Sequence, residues 1–333
     1  MRPYGHWLGE ISKTIQVKDL LQPRPGGTWD FQVTHGTFNA EGEHEVLPKS
    51  QTFYTTIIRS PETQLASAFY YFGDEKSQRS RWGRSLSKSE LIDKYLDSKK
   101  ITPTDHWSPA IHLGWERFSA SLGTRTSTEE KMEGFVQLLD TEMDLVMISE
   151  RIDESLIVLK ERMGWTLEDI MYLNRNVAPE ESKSDLTEST RQNILQHLIL
   201  DKRMYDYFNA TLDRHIDELG RERMQTEVRE FQQVRQELED KCFDKTKVKL
   251  MEWDTRSFEL TEYGKNENLA CTFLQVNDVE LDEAITQLQS SRDYTEPIEY
   301  KGRLVTNNYL LQDVITRLQR EFEANSDLRK QAI

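Results

Sequence analysis

Three short apolar runs stand out against a polar background: residues 29–34 (WDFQVT), 52–58 (TFYTTII) and 145–149 (LVMIS). Each is rich in β-branched or aromatic residues and is followed by a helix-compatible segment. Continuous apolar runs set between helices predict strands of a buried parallel sheet, hence an α/β layer architecture. The second half changes period. Residues 187–240 are almost free of proline and glycine, and Ile194, Leu198, Tyr205 and Phe208 recur at helical spacing. That pattern predicts long helices packed on the sheet, with the highly charged run 221–241 as a solvated helix face. Residues 178–185, Gly26-Gly27 and Gly83 read as loops, and 309–322 as a further amphipathic helix. No internal repeat is present.

Composition narrows the classes. The 333 residues are 36% hydrophobic and 30% charged, which is a globular profile. A net charge of −15 argues against a general nucleic-acid binder, yet it leaves room for one small basic pocket, because the local field decides anion binding. No run reaches the roughly 18 apolar residues of a membrane span, and residues 1–9 lack an apolar signal core. The two cysteines, Cys242 and Cys271, show no metal-ligand spacing. They are either unrelated thiols or a single disulfide of a secretory compartment. No His/Cys/Asp cluster has ligand spacing, so no metal is expected, and a serine-hydrolase nucleophile elbow is missing.

The segment 52–73 carries the clearest chemical signal. A strand ends at Ile58, Arg59 follows, and Ser60-Pro61 opens a helix with Ser67 eight positions after Arg59. Serine caps helices and proline suits their first turn. Ligands of open α/β sheets bind at the carboxyl ends of strands, and a helix N-terminus favours anions. Arg59 therefore stands where an anion would, with a planar fork that matches phosphate oxygens. The plain alternative is a surface arginine after a strand.

This arrangement is similar to the 3′-phosphate site of PAPS-dependent sulfotransferases, with Arg59, Pro61 and Ser67 in the matching positions and Ser60 where an aspartate is common. Two further blocks narrow the resemblance. Residues 149–176 match an E-x-x-D-E-S-L helix and a W-x-L-E-D-x-x-Y motif through Glu150, Asp153, Glu154, Ser155, Leu156, Trp165, Leu167, Glu168, Asp169 and Tyr172. Residues 204–228 match Y-x-x-F-N-A (Tyr205, Phe208, Asn209, Ala210) followed by G-R-E-R-M. Over roughly 29–244 the chain resembles the galactose-3-O-sulfotransferases. The resemblance implies a P-loop-like sulfotransferase fold, three-layer α/β/α with a parallel sheet, followed by a helical C-terminal half. It divides the chain into an N-terminal extension (1–28), a sulfotransferase domain (29–245) and a C-terminal helical region of that domain (246–333). It further implies PAPS (3′-phosphoadenylyl sulfate) as co-substrate without a metal. The acceptor would be a galactose-terminated glycolipid or glycan, with no nucleic acid as partner. The compartment would be the Golgi lumen of a type II membrane protein, with membrane association only through an N-terminal anchor not seen in this chain.

Such enzymes open with a strand and a lysine-bearing loop around the 5′-phosphosulfate. No GxxxxGK[ST] or K-T-x-S-S segment occurs, so the first strand and loop are expected to be missing. Two functions follow as expectations: a galactose 3-O-sulfotransferase, or an inactive relative or fragment serving as a glycan- or protein-binding module. A uronosyl 2-O-sulfotransferase shares the histidine and arginine–serine logic but not the Trp165 block. The expected base is His35, within VTHGTFN, where the family has N-H-x-x-F and this chain has Thr34, His35 and Phe38. It is expected beside Arg59 at one sheet edge, the plain alternative being a structural loop histidine. Glu41, Glu43, Glu45 and His44 rank behind it. His106, Trp107, His112 and Trp115 either shape a sugar site or belong to the core. In a secretory compartment Cys242 and Cys271 are expected to pair, and Asn209 heads an N-glycosylation sequon.

Overall fold

The computed structural model describes residues 37–71, 74–83, 85–98, 108–173, 186–250, 256–266, 271, 274, 298–300 and 303–305. They form a helix-rich α/β chain divided into two compact units. One takes Gly36–Met171 and Ala178–Gln233, and the other takes Met1–His35, Tyr172–Val177 and Val234–Ile333.

The first of these units is built on two parallel strands, β1 (Thr55–Ile58) and β2 (Leu145–Ile148), paired in register from Thr55↔Leu145 to Ile58↔Ile148. Helix α1 (Ala40–Val46) precedes β1. Between the strands run α2 (Pro61–Tyr71), α3 (Asp74–Trp82), α4 (Lys88–Ser98), α5 (Pro109–His112), α6 (Trp115–Ser121) and α7 (Thr128–Glu142). After β2 come α8 (Ile152–Met163), α9 (Glu188–His197), α10 (Ile199–Leu219) and the first part of α11 (Arg221–Cys242). The apolar runs at 52–58 and 145–149 thus form neighbouring strands of one sheet. The third expected strand, 29–34, lies outside the described residues, as do the loop 178–185 and the helix 309–322.

Helix α10 is the centre of the unit. Leu200, Met204, Phe208, Leu212 and Ile216 recur every four residues and are all buried. The helix packs on β2 and against α2, α5, α7, α8 and α9. Each buried side chain of this size contributes roughly 1.5–3 kcal/mol, so the stripe fixes α10 to the sheet. Helix α8 is tied to β2 by Ser155, whose buried hydroxyl accepts the Ile148 N–H at 3.0 Å. At the amino end of the sheet, Asp144 accepts the Tyr54 N–H at 2.8 Å and the Lys49 ammonium at 2.6 Å. A second cluster joins α2, α4 and α9 through Leu65, Phe69, Leu91, Tyr95 and Ile194, with Phe69 edge-on to Tyr95 at 5.4 Å. Helix α7 starts with a full capping box, Ser127 and Glu130 bonding each other's backbone N–H.

A carboxyl group is buried at the heart of the unit. Asp201, on α10 and 3% exposed, accepts the Ser108 hydroxyl and the Ala110 N–H, each at 3.0 Å, through Oδ1. Its Oδ2 has no hydrogen-bond partner among the described residues. Burial pushes its pKa up to about 6 against the lowering effect of those two bonds.

In the other unit the described residues from 246 onward include strands where a helical region is expected: β3 (Phe243–Leu250) pairs antiparallel with β4 (Arg256–Leu260), and β5 (Ile298–Tyr300) pairs with β6 (Arg303–Val305). The short α12 (Glu262–Asn266) follows β4. The expected boundary at 245 falls inside β3. The physical reason is the alternation of K-V-K-L and S-F-E-L, a period of two that suits a strand and not a helix. Cys242, Phe243 and Cys271 form the buried centre of this unit, with Leu173, Leu238, Phe258, Leu260 and Leu274 packed around them. Among the described residues no helix is long and apolar enough to cross a membrane.

Candidate functional site

The carboxyl ends of β1 and β2 lie side by side because the strands are parallel and in register. Chain continuity then places Arg59 and Ser60 beside Ser149, Glu150 and Arg151. Arg59 is 40% exposed along its side chain, and its Nε donates to Thr63 Oγ1 at 3.0 Å. Among the described residues no hydrogen bond or ion pair engages its Nη1 and Nη2. Ser60 is buried, and its Oγ lies 2.8 Å from Thr63 Oγ1.

Glu150 organises this turn. One oxygen, Oε1, accepts the Ser60 N–H at 3.0 Å and the Thr63 hydroxyl at 2.7 Å. The same oxygen stands 3.9 Å from Arg59 Nε. Thr63 has one proton, so committing it to the carboxylate leaves the hydroxyl lone pairs facing Arg59. Burial pushes the Glu150 carboxyl up, and the bonds from Thr63 and Ser60 outweigh it, leaving the group below the ordinary glutamate range. From α10 the Tyr205 phenol faces Glu150, and burial together with that carboxylate raises Tyr205 to about 12. At neutral pH the cluster is therefore an ionised carboxylate held by neutral donors beside an arginine fork.

Arg151 extends the edge. Its Nε meets Glu154 at 2.6 Å, its Nη1 donates to Asn209 Oδ1 at 2.9 Å, and its Nη2 donates to Asp213 at 3.0 Å. The three blocks singled out in the sequence thus converge. Arg59 and Ser60 come from the first, Glu150 and Arg151 from the second, and Tyr205 and Asn209 from the third. Ser67 is exposed on α2, one turn beyond Thr63 and on the same helix face by its i, i+4 spacing. Arg59 meets that face at Thr63 through its Nε, and among the described residues no contact joins it to Ser67. A shallow cavity of about 300 Å³ between α8 and α11 is lined by Glu154, Met224, Gln225, Val228 and Arg229. It adjoins the Arg151 pair and does not contain Arg59.

The other candidates fall elsewhere. His35, His106 and Trp107 lie outside the described residues. Phe38, three positions after His35, donates its N–H to the His112 carbonyl at 2.7 Å, and its ring meets Tyr54 edge-on at 6.1 Å. Tyr54 stands at the amino end of β1, so Phe38 is anchored at the opposite end of the strand from Arg59. His44 Nε2 faces Glu142 at 3.0 Å there, with its ring against Tyr54, and Glu43 is buried. Burial, then Glu43, Glu142 and Asp144, push the Tyr54 phenol up to about 12. These groups brace the amino end of the sheet. Trp115 is a core residue, buried edge-on against Phe135 at 5.4 Å. His112 is exposed at the end of α5. Cys242 and Cys271 are bonded, with Cα atoms 5.3 Å apart. Among the described residues no group of three or more His, Cys, Asp or Glu is arranged to hold a metal ion.

In the sequence Glu150 and Tyr205 stand out only as motif positions. Glu150 joins the Arg59 turn from about 90 positions away and Tyr205 faces Glu150 from a further 55, and no local pattern signals either.

Comparison with known proteins agrees with this convergence. The family model described as galactose-3-O-sulfotransferase matches residues 26–267. Mouse galactosylceramide sulfotransferase is 27% identical over 235 residues, covering 68% of this chain and 53% of the relative. Human galactose-3-O-sulfotransferase 2 is 28% identical over 227 residues, covering 64% and 53%. Mouse galactose-3-O-sulfotransferase 3 is 28% identical over 206 residues, covering 60% and 47%. The chain spans about half the length of these curated relatives. No solved structure matches. With the three motif blocks gathered at one strand edge and a family match over most of its length, the chain belongs to the galactose-3-O-sulfotransferase family.

Proposed function

We propose that the chain forms the 3′-phosphate and acceptor side of a PAPS-dependent sulfotransferase that moves a sulfuryl group to the 3-hydroxyl of galactose on a glycolipid or glycoprotein. The observation that carries this reading is the Arg59 fork. Its Nε is occupied and its two terminal nitrogens are open, at the carboxyl end of a parallel strand and beside the N-terminus of an 11-residue helix. Arg59 and Ser67 then hold the 3′-phosphate. A base removes the proton of the galactose hydroxyl as its oxygen attacks sulfur. The bond between sulfur and the bridging phosphate oxygen breaks, and adenosine 3′,5′-bisphosphate leaves. His35 is the proposed base, since an imidazole exchanges a proton near neutrality. The lysine-bearing 5′-phosphosulfate loop is not found in residues 1–333, so the proposal rests on the 3′-phosphate half of the site.

The same reading places the protein in the Golgi lumen, with Cys242 and Cys271 oxidised and Asn209 carrying an N-linked glycan. Arg151 bonds Asn209 Oδ1 and leaves Nδ2, the atom that takes the sugar.

Calorimetric titration with adenosine 3′,5′-bisphosphate tests the reading. Arg59→Ala is expected to weaken binding by about 1.5–3 kcal/mol, the range for a bond to a charged group. His35→Ala is expected to leave binding intact and to lower galactoside sulfation by roughly 10²–10⁴. Equal binding of adenosine 5′-phosphate and the bisphosphate by the wild-type chain would remove the 3′-phosphate assignment. Tight binding with no transfer would point to a binding module.

A further inference from the structure

The geometry points to Glu150 as the positioning residue of the anion site, acting on the phosphate through Thr63 and Arg59 without touching it. The inference rests on the reading of Arg59 as the 3′-phosphate ligand and adds a residue to which that reading gives no role.

The turn between β1 and α2 has to present an arginine fork to solvent in one orientation. A free arginine side chain loses rotamer entropy when it is fixed, so a site that fixes it beforehand binds its anion more tightly. Here the fixing is a chain of bonds. Thr63 Oγ1 reaches two acceptors, Glu150 Oε1 at 2.7 Å and the Ser60 carbonyl at 3.1 Å, and the shorter contact to the carboxylate takes its proton. The Thr63 lone pairs are then turned to Arg59 Nε, which donates at 3.0 Å. The same Oε1 takes the Ser60 N–H, at 3.0 Å, which holds the backbone of the turn itself. Arg59 is left with Nη1 and Nη2, the two groups that grip an anion side by side.

A carboxylate so close to an anion site needs a reason to be there, since its charge opposes the ligand. Two donors answer it: the Ser60 N–H and the Thr63 hydroxyl. A neutral acceptor would do the same geometric work. Because both bonds from the turn end on Oε1, a glutamine carbonyl in that place keeps them. The role thus predicts different results for two substitutions of one residue.

The test is a double-mutant cycle in the full chain, read as affinity for adenosine 3′,5′-bisphosphate with adenosine 5′-phosphate as the control lacking the 3′-phosphate. Glu150→Ala is expected to weaken bisphosphate binding roughly ten-fold, about the worth of one lost hydrogen bond, and to leave 5′-phosphate binding unchanged. Glu150→Gln should stay within about three-fold of wild type. Combined with Arg59→Ala, Glu150→Ala should add nothing, because its effect passes through that side chain. Additive losses, an equal loss for both nucleotides, or a Glu150→Gln loss as large as that of Glu150→Ala would overturn the proposal. Far-ultraviolet circular dichroism of each variant separates unfolding from loss of positioning. If the wild-type chain shows no preference for the bisphosphate, the 3′-phosphate reading fails by itself. The Arg59 Nε–H resonance of ¹⁵N-labelled protein then decides the positioning. It should move toward the exchanging arginine envelope in Glu150→Ala and hold in Glu150→Gln. An unmoved resonance in Glu150→Ala overturns the role of Glu150.

Discussion

Replacing Asp201 by asparagine should change how stability depends on pH, and the structure sets the size of the change. In the fold the Asp201 carboxyl has a pKa of about 6, raised from 3.8 by burial. The native chain therefore holds a proton that the unfolded chain releases, and stability falls as pH rises through the window from about 4 to about 6. A shift of roughly two units at about 1.4 kcal/mol per unit amounts to about 3 kcal/mol lost by neutrality. Asparagine keeps an oxygen for Ser108 and Ala110 but puts an amide where Oδ2 has no partner, a cost of about 1–3 kcal/mol that does not vary with pH. The observable is the difference in unfolding free energy between Asp201→Asn and wild type, from urea titrations at pH 4, 5, 6 and 7. It should move in favour of the variant by about 3 kcal/mol across that range. The carboxylates lowered in the fold, such as Glu150 and Glu227, act in the opposite sense but are common to both proteins and cancel. A difference that stays flat from pH 4 to pH 7 would refute the argument.

Leu212→Ala, at a fully buried point of the α10 stripe, should cost about 2–5 kcal/mol in urea unfolding, because the helices around it cannot all collapse into the cavity. Reduction of Cys242–Cys271, which closes a span of 29 residues, should cost about 3–4 kcal/mol on the loop-entropy scale, measured as the midpoint shift between oxidised and reduced protein. Ser127→Ala should remove about 1 kcal/mol by opening the capping box of α7, whereas Ser127→Asp should retain most of it. Expression through a secretory pathway should give a glycosidase-sensitive mobility shift that Thr211→Ala abolishes, and a shift that survives this variant would place the glycan elsewhere.

Both described strands of the parallel pair, Thr55–Ile58 and Leu145–Ile148, are readable in the sequence because each is a short continuous run of apolar or β-branched residues set between helical patterns, although only the second is largely buried. The α10 helix was readable for a related reason: large apolar side chains recurring every four residues line one face of a helix and would fall on no single face of a strand-and-loop chain. The hairpin of Phe243–Leu250 and Arg256–Leu260 has a visible alternation, and it stands where the family resemblance implies a helical region. Trp115 was left between two roles, and its contact with Phe135 decides for the core. The position of Arg59 at a strand end was legible from order alone. What holds it was not, since a carboxylate 91 positions away in sequence leaves no mark on the local pattern.

The proposed anion site, in so acidic a chain, depends on partners in the same way. A net charge of −15 repels phosphate at long range, yet the repulsion between exposed charges fades over about 10 Å at ordinary ionic strength. The acidic group beside Arg59 is Glu150, and its charge is already engaged by the Ser60 N–H and the Thr63 hydroxyl. Arg151, the other guanidinium at this edge, has each of its nitrogens committed to Glu154, Asn209 or Asp213. It fastens α8 to α10, and both of its terminal nitrogens are already held by protein acceptors, unlike those of Arg59 among the described residues. Two arginines at the same pair of strand ends thus part by their partners. The one whose terminal nitrogens stay open is the one to mutate first, and its loss should show in nucleotide binding, whereas the loss of Arg151 should show in stability.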